Sequence, residues 1–198
     1  MADVDLDLLD QWIAGDSAAG NQLFTRNFPA VYRFFEMKTE GDIDDLVQET
    51  FLACMRGRET YRRQASFRTY LLAIARHLLF QYWRKRRITG APLDFDEISV
   101  ASLSTSVGSR LVRGQDHAAL QTAMAELPLD QQLLLELYYW EELDREALAE
   151  VFDVESATIG TRLFRARQVL RDRLRGATPL HDGDAAFDRW ARDAAPAR

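Results

Sequence analysis

Cysteine is almost missing from this sequence: Cys54 stands alone, so no disulfide can close within the chain. Histidine is nearly as scarce, and His77, His117 and His181 lie too far apart for the short ligand spacings of a metal site. No nucleophile is paired with a base, so neither enzyme chemistry nor a metal or cofactor is expected. Long apolar runs are absent as well. The longest candidate, Tyr70 to Trp83, is interrupted by Arg76, His77 and Gln81 and falls short of the roughly 20 residues that span a bilayer. The first residues, MADVDLDLLD, lack the cationic start of a signal peptide. A cytoplasmic chain without membrane insertion is the expectation. Alternation of apolar and polar residues is also wanting, which argues against strands.

What is present is a chain of 198 residues, 47% hydrophobic, long enough to bury a core. Its formal charge of -6 argues against indiscriminate binding to nucleic acid, but that mean hides a segregation. Up to Glu49 the charges are mostly acidic, as in Asp42, Asp44 and Asp45. From Arg56 to Arg87 they are Arg and Lys, with Glu59 the single acid. Two stretches of opposite sign point to two different partners.

Helical spacing dominates and predicts an all-α protein, with helices at about 4–14, 16–36, 42–57, 66–87, 116–126, 129–140, 144–152 and 156–175. Between Ile88 and Gln115, Pro, Gly, Ser and Thr accumulate without periodicity, which reads as a flexible linker. The expected organisation is a helical domain over 1–88, a linker over 89–115, a smaller helical domain over 116–176 and a tail over 177–198. The Gly, Pro and charge of the tail predict disorder. Its alternative is an apolar stripe of Phe187, Trp190, Ala191 and Ala194 that docks on a domain.

The smaller domain carries DREALAEVFDVESATIGTRLFRARQVLRDRLR from Asp144. Asp144 can cap a short helix, and Phe152 to Glu155 has the length of a tight turn. In the helix that follows, Ile159, Leu163, Ala166 and Leu170 form a core-facing stripe. Thr158, Thr161, Arg162 and Arg165, flanked by Arg167, are assigned to the other side. Small polar residues permit approach to base edges in a major groove, and guanidinium groups bond phosphate or guanine. Asp153 stands where a turn glycine would be easier, and Gly160 weakens the helix by about 1 kcal/mol.

In SFRTYLLAIARHLLFQYWRKRR, from Ser66 to Arg87, Ser66 is an N-cap candidate. Phe67, Leu71, Ile74, Leu78 and Tyr82 are expected to face the core. Tyr70, His77, Gln81 and Arg84 line another face, with Arg76 and Trp83 beside it and Lys85 following. Aromatic platforms next to cations suit single-stranded nucleic acid, with stacking contributing about 1–3 kcal/mol per base. Just upstream, Tyr61, Arg62, Arg63 and Phe67 can receive an unstacked base.

A helix-turn-helix behind a linker from a domain with an aromatic, basic helix resembles the extracytoplasmic-function group of bacterial RNA polymerase sigma factors. The resemblance is carried by Gly41–Met55, Ser66–Arg87, Leu127–Trp140 and Ala157–Leu174, four ordered blocks over most of the chain. It implies a region 2 helical bundle and a region 4 helix-turn-helix. It further implies that Asp44, Asp45, Gln48 and Glu49 meet the polymerase core, which such factors engage through the β′ clamp helices and the β flap. Tyr61, Arg62, Arg63, Phe67, Tyr70, Arg76, His77, Gln81, Trp83, Arg84 and Lys85 would hold the opened minus-ten element of promoter DNA. Thr158, Thr161, Arg162, Arg165 and Arg167 would read the minus-thirty-five element. The linker, with Asp94, Asp96 and Glu97, would thread the polymerase channel, and an anti-sigma factor would hold the free chain inactive. The family usually has Trp at Tyr70, Asn at His77, Asp at Gln81, Glu at Ala147, Gly at Asp153 and a basic residue at Gly160. Two other classes fit parts of the pattern: a duplex-binding repressor or activator, and a sigma-fold interaction module that no longer initiates transcription.

Overall fold

Residues 4–36, 38–39, 41–57, 61, 65–86, 94–103, 115–175 and 184–194 are described by the structure, a computed structural model, apart from the side chains of 115–118 and 184. Among them there are ten α-helices and no strand beyond an isolated Ser99–Pro128 bridge. The chain divides into two compact units, Met1–Arg86 with Glu150–Asp153, and Arg87–Ala149 with Val154–Arg198.

The first unit is built from α1 (Val4–Ile13), α2 (Ser17–Glu36), α3 (Ile43–Gly57) and α4 (Phe67–Arg86). The α1–α2 corner is made by local chemistry. Gly15 ends α1 at φ +107°, a conformation most side chains resist. Asp16 then caps α2 by accepting the Ala18 and Ala19 amides at 2.8 and 3.2 Å. The two helices lie so close that a Cβ on Gly20 would sit 2.5 Å from the Trp12 ring. Leu9, Leu23, Phe35, Cys54, Phe67, Leu71, Leu72, Ala75 and Leu79 are wholly buried and form the core. Burial also pushes the Cys54 thiol up to about 12, which leaves it a neutral packing group at physiological pH.

Lys38, just beyond α2, is buried, with its Nζ donating to the Phe34 carbonyl at 2.6 Å over the Phe34 ring. Its own carbonyl accepts the Trp83 indole N–H at 3.0 Å, which ties the α2–α3 corner to the far end of α4.

The second unit holds α5 (Val100–Leu103), α6 (Gln115–Ala125), α7 (Leu129–Tyr139), the start of α8 (Arg145–Phe152), α9 (Ser156–Leu174) and α10 (Asp184–Asp193). Helix α7 lies at its centre, buried almost throughout. Pro128 at its N-cap offers no side-chain acceptor. The stretch expected to be a featureless linker supplies one instead: the Leu129 and Asp130 amides donate to the carbonyls of Ile98 and Phe95 at 2.9 and 3.1 Å. Phe95 and Val100 are buried, so 94–103 is anchored by apolar contact as well as by backbone bonds. Sequence periodicity missed this because four-residue α5 is too short to show any.

The tail is the second departure. Over 184–194 its expected disorder is overturned by α10, which buries Phe187 and Ala191, with Ala194 buried just past its end, while Trp190 stays half-exposed. The alternative stripe thus describes it better.

Two glycines give opposite expectations. Gly20→Ala drives a methyl into a rigid indole and should lower the unfolding free energy by about 1–2 kcal/mol. Gly160→Ala meets only the Arg145 guanidinium at an ordinary 3.8 Å and should raise it by about 1 kcal/mol. Urea titration of both variants measures the pair.

Candidate nucleic-acid and protein interfaces

On α3, Ile43, Val47 and Cys54 turn inward, which leaves Asp44, Asp45 and Gln48 exposed. Glu49 is half-exposed and pairs with Arg56 at 2.6 Å. Phe51 is half-buried and, with Phe24, Phe28, Leu52 and Met55, lines an apolar groove of about 780 Å³ between α2 and α3. Asp44 and Gln48 stand on that groove's wall. An acidic, hydrogen-bonding edge beside exposed aromatic and thioether groups suits a protein surface better than a nucleic acid. Sequence reading found the acids and missed the groove, because Phe28 and Phe51 come from different helices and stack 6.5 Å apart only in the fold.

The aromatic helix α4 divides otherwise than its spacing suggested. Ser66 caps it as expected, with its Oγ accepting the Thr69 amide at 3.1 Å. The buried line is Phe67, Leu71, Leu72, Ala75, Leu79, Phe80 and Trp83, while Ile74, Leu78 and Tyr82 are half-buried. Phe67 and Trp83 therefore belong to the core and not to a base-stacking surface. The cause for Trp83 is its bond to the Lys38 carbonyl, a partner 45 residues away.

Other assigned residues do reach the surface. Tyr61 and Tyr70 stack at 4.6 Å, and the Tyr61 hydroxyl donates to the Ala65 carbonyl. Tyr70 keeps its hydroxyl protonated beyond the ordinary range, chiefly through burial and secondarily through Cys54. His77 is exposed and bonds Gln81 at 2.7 Å, so these two residues act as one polar unit. The Arg76 guanidinium covers the Phe80 ring at 4.5 Å. Arg84 and Lys85 are exposed at the helix end, followed by Arg86 in an ion pair with Asp42 at 2.7 Å. Arg62 and Arg63 lie outside the described residues.

The turn between α8 and α9 is as short as expected. The Asp144 carboxylate caps α8 by accepting the Ala147 amide at 2.8 Å, and Asp153 takes the left-handed conformation, φ +53°, that would come more easily to glycine. Ile159, Leu163, Ala166 and Leu170 are buried, with Leu174 extending the stripe. At about 100° per residue, Thr158, Thr161, Arg162 and Arg165 share one face of α9. Thr158, Thr161 and Arg165 are exposed, and Arg162 lies 3.5 Å from Asp130.

Arg167 does not join them. It is on the opposite side of the helix, where its Nε donates to the Tyr139 hydroxyl at 3.0 Å and lies 3.4 Å from Asp188. Burial, and next the hydrogen bond to Asp188, hold the Tyr139 phenol protonated far above its usual range. The sequence counted Arg167 as a flanking cation because its partners sit on α7 and α10.

Among the described residues no group of three metal-ligating side chains converges, and no helix is long and apolar enough to cross a membrane.

Comparison with known proteins gives this geometry a family. Sigma-70 region 2 matches residues 23–89, and Sigma-70, region 4 matches residues 117–170. The chain belongs to the sigma-70 family, within its extracytoplasmic-function group. It is 30% identical over 138 residues to the ECF RNA polymerase sigma factor SigF of Caulobacter vibrioides, a match covering 69% of this chain and 73% of that protein. It is 23% identical to the Escherichia coli ECF RNA polymerase sigma-E factor over 176 residues, 84% of this chain and 92% of the other. A probable sigma factor, RfaY of Xanthomonas campestris, is 28% identical over 77% of this chain, which spans only 37% of that relative's length. In fold the chain is similar to CnrH, solved with the cytosolic domain of CnrY, at TM-score 0.65 and 21% identity over 89% of this chain and 100% of CnrH. It is also similar to RpoE of Bartonella quintana, solved with the anti-sigma factor NepR, at TM-score 0.60 and 21% identity over 79% and 96%.

Because Trp83 is core, Trp83→Ala should lower the unfolding free energy by about 3–5 kcal/mol. Lys85→Ala, at an exposed site, should change it by less than about 0.5 kcal/mol. Denaturant unfolding followed by circular dichroism distinguishes the two.

Proposed function

We propose that this chain is the promoter-selecting subunit of a bacterial RNA polymerase: a cytoplasmic, non-enzymatic factor that brings core polymerase to a particular set of promoters and helps open them. The observation that carries this reading is the division of labour within one four-helix unit. Helix α3 presents Asp44, Asp45 and Gln48 beside an apolar groove, while α4 presents His77, Gln81, Arg84 and Lys85 next to stacked tyrosines.

In this reading the α3 edge docks on the β′ clamp helices and the second unit on the β flap. The Tyr61–Tyr70 pair and the polar face of α4 hold unpaired bases of the minus-ten element, each capture offsetting unstacking. Thr158, Thr161, Arg162 and Arg165 enter the major groove of the minus-thirty-five element. Segment 94–103, which carries the exposed acids Asp94, Asp96 and Glu97, leaves the start of α7 when the linker enters the polymerase channel. An anti-sigma protein holds the free chain back, a role supported by the complexes in which CnrH and RpoE were solved.

Run-off transcription from a promoter library, with purified core polymerase in the presence and absence of the chain, tests the proposal. Specific transcripts should appear only with the chain present. Asp45→Arg should weaken core binding, read by pull-down, without shifting the unfolding midpoint. Arg165→Ala should cost about 1–3 kcal/mol in minus-thirty-five binding and reduce the slope of log K against log salt by about 0.9. Arg167→Ala should leave that salt slope unchanged. A chain that selects duplex DNA with no polymerase present would be a conventional regulator instead.

A further inference from the structure

Helix α10 is ten residues long, shorter than the roughly 12–15 an isolated helix needs to persist in water. Its helical state therefore depends on what it touches. It buries Phe187 and Ala191, and Ala194 just past its end continues the same face at about one side chain per turn. The Arg171 guanidinium lies over the Phe187 ring at 4.6 Å, and the Arg192 guanidinium over Tyr138 at 5.7 Å. The Asp188 carboxylate accepts the Tyr139 hydroxyl at 2.6 Å and lies 3.4 Å from Arg167 Nε, while Arg167 also stacks over Tyr138 at 4.9 Å. Near the end of α10, the carbonyl of Ala191 accepts the Trp140 indole N–H at 3.0 Å.

These contacts recognise a helix by its chemistry and its direction. Cationic Arg167 and Arg171 beside Tyr138, Tyr139 and Trp140 select a carboxylate and an aromatic ring. The bond from Trp140 to one of the last-turn carbonyls, which have no partner inside a helix, fixes polarity. Phe187 is the single large apolar side chain buried on this face, the other two being alanines, so attachment is concentrated in one ring and its polar neighbours. It suffices in the intact chain because α10 is joined to α9 through 176–183, and a short tether gives an effective concentration on the order of millimolar. The whole of α10 lies beyond the region 4 match, which ends at residue 170.

We propose that the face of α7 and α9 beneath α10 is a docking site for a protein partner bearing an acidic amphipathic helix, and that α10 is its tethered occupant. The partner helix carries the pattern of α10: an aromatic residue, a carboxylate next to it, and small residues four and seven positions on. To bind, it displaces α10 and takes over the contacts to Tyr139, Trp140 and Arg167. The tail thereby sets a threshold that only a better or more concentrated helix passes.

The test needs neither polymerase nor DNA, so its failure is separate from failure of the promoter-selecting role. The probe is a fluorescein-labelled synthetic peptide of residues 184–194, titrated by anisotropy against the full chain and against a full-length Phe187→Asp, Asp188→Lys variant whose own tail cannot dock. The variant should bind the peptide at least about tenfold more tightly than the wild type, whose site is filled by the tether. A peptide carrying the Asp188→Lys change should lose that binding. Equal binding by both proteins, or none by a variant that keeps its helical circular dichroism, overturns the proposal. Hydrogen exchange on the unmodified chain gives an independent reading. The α10 amides should exchange at least about tenfold faster than the buried amides of α9, through an opening of their own. Exchange of α10 only together with α7 and α9 would make it a fixed part of the domain and defeat the idea.

Discussion

The hydrogen bond from the Trp83 indole to the Lys38 carbonyl constrains much of the first unit. It commits the last turns of α4 to the core at the very point where the sequence turns cationic. With Trp83 inside, Arg84, Lys85 and Arg86 emerge together as exposed residues on a rigid base. It also pins the corner between α2 and α3, where Lys38 bonds the Phe34 carbonyl, and so helps set the angle at which α3 offers its acids. A cationic helix end and an acidic helix edge are in this way held by one buried contact.

The second unit follows a related rule around α7. That helix is so fully enclosed that its termini and side chains must be satisfied by the protein itself. The amides at its start find Phe95 and Ile98, the Asp130 carboxylate finds Arg162, and the Tyr139 hydroxyl bridges Arg167 and Asp188. Helix α9 consequently serves two masters: one face packs and braces, and the other, with Thr158, Thr161 and Arg165, remains available.

How legible this was in the sequence depends on how far apart the partners lie. Helix periods, the caps made by Ser66 and Asp144, the turn at Asp153 and the buried stripe of α9 are local, and reading the chain finds them within a residue or two. The paired regions of the sigma family were also legible, since they rest on four ordered blocks. Errors arose where a side chain takes its meaning from a distant one. Trp83 bonds a residue 45 positions away, Trp140 one 51 away and Tyr139 one 49 away. No window of helical length contains such pairs. That is why Trp83 was assigned to bases, Arg167 to DNA and α10 to disorder, and why the groove between α2 and α3 went unseen.

The capping of α7 by the carbonyls of Phe95 and Ile98 has a thermodynamic corollary. Whatever draws segment 94–103 elsewhere strips two acceptors from the start of the most enclosed helix in its unit, and by reciprocity whatever tightens α7 resists that withdrawal. Segment 94–103 is therefore a coupling element, with a free-energy cost for withdrawing it that is borne at the entrance to α7.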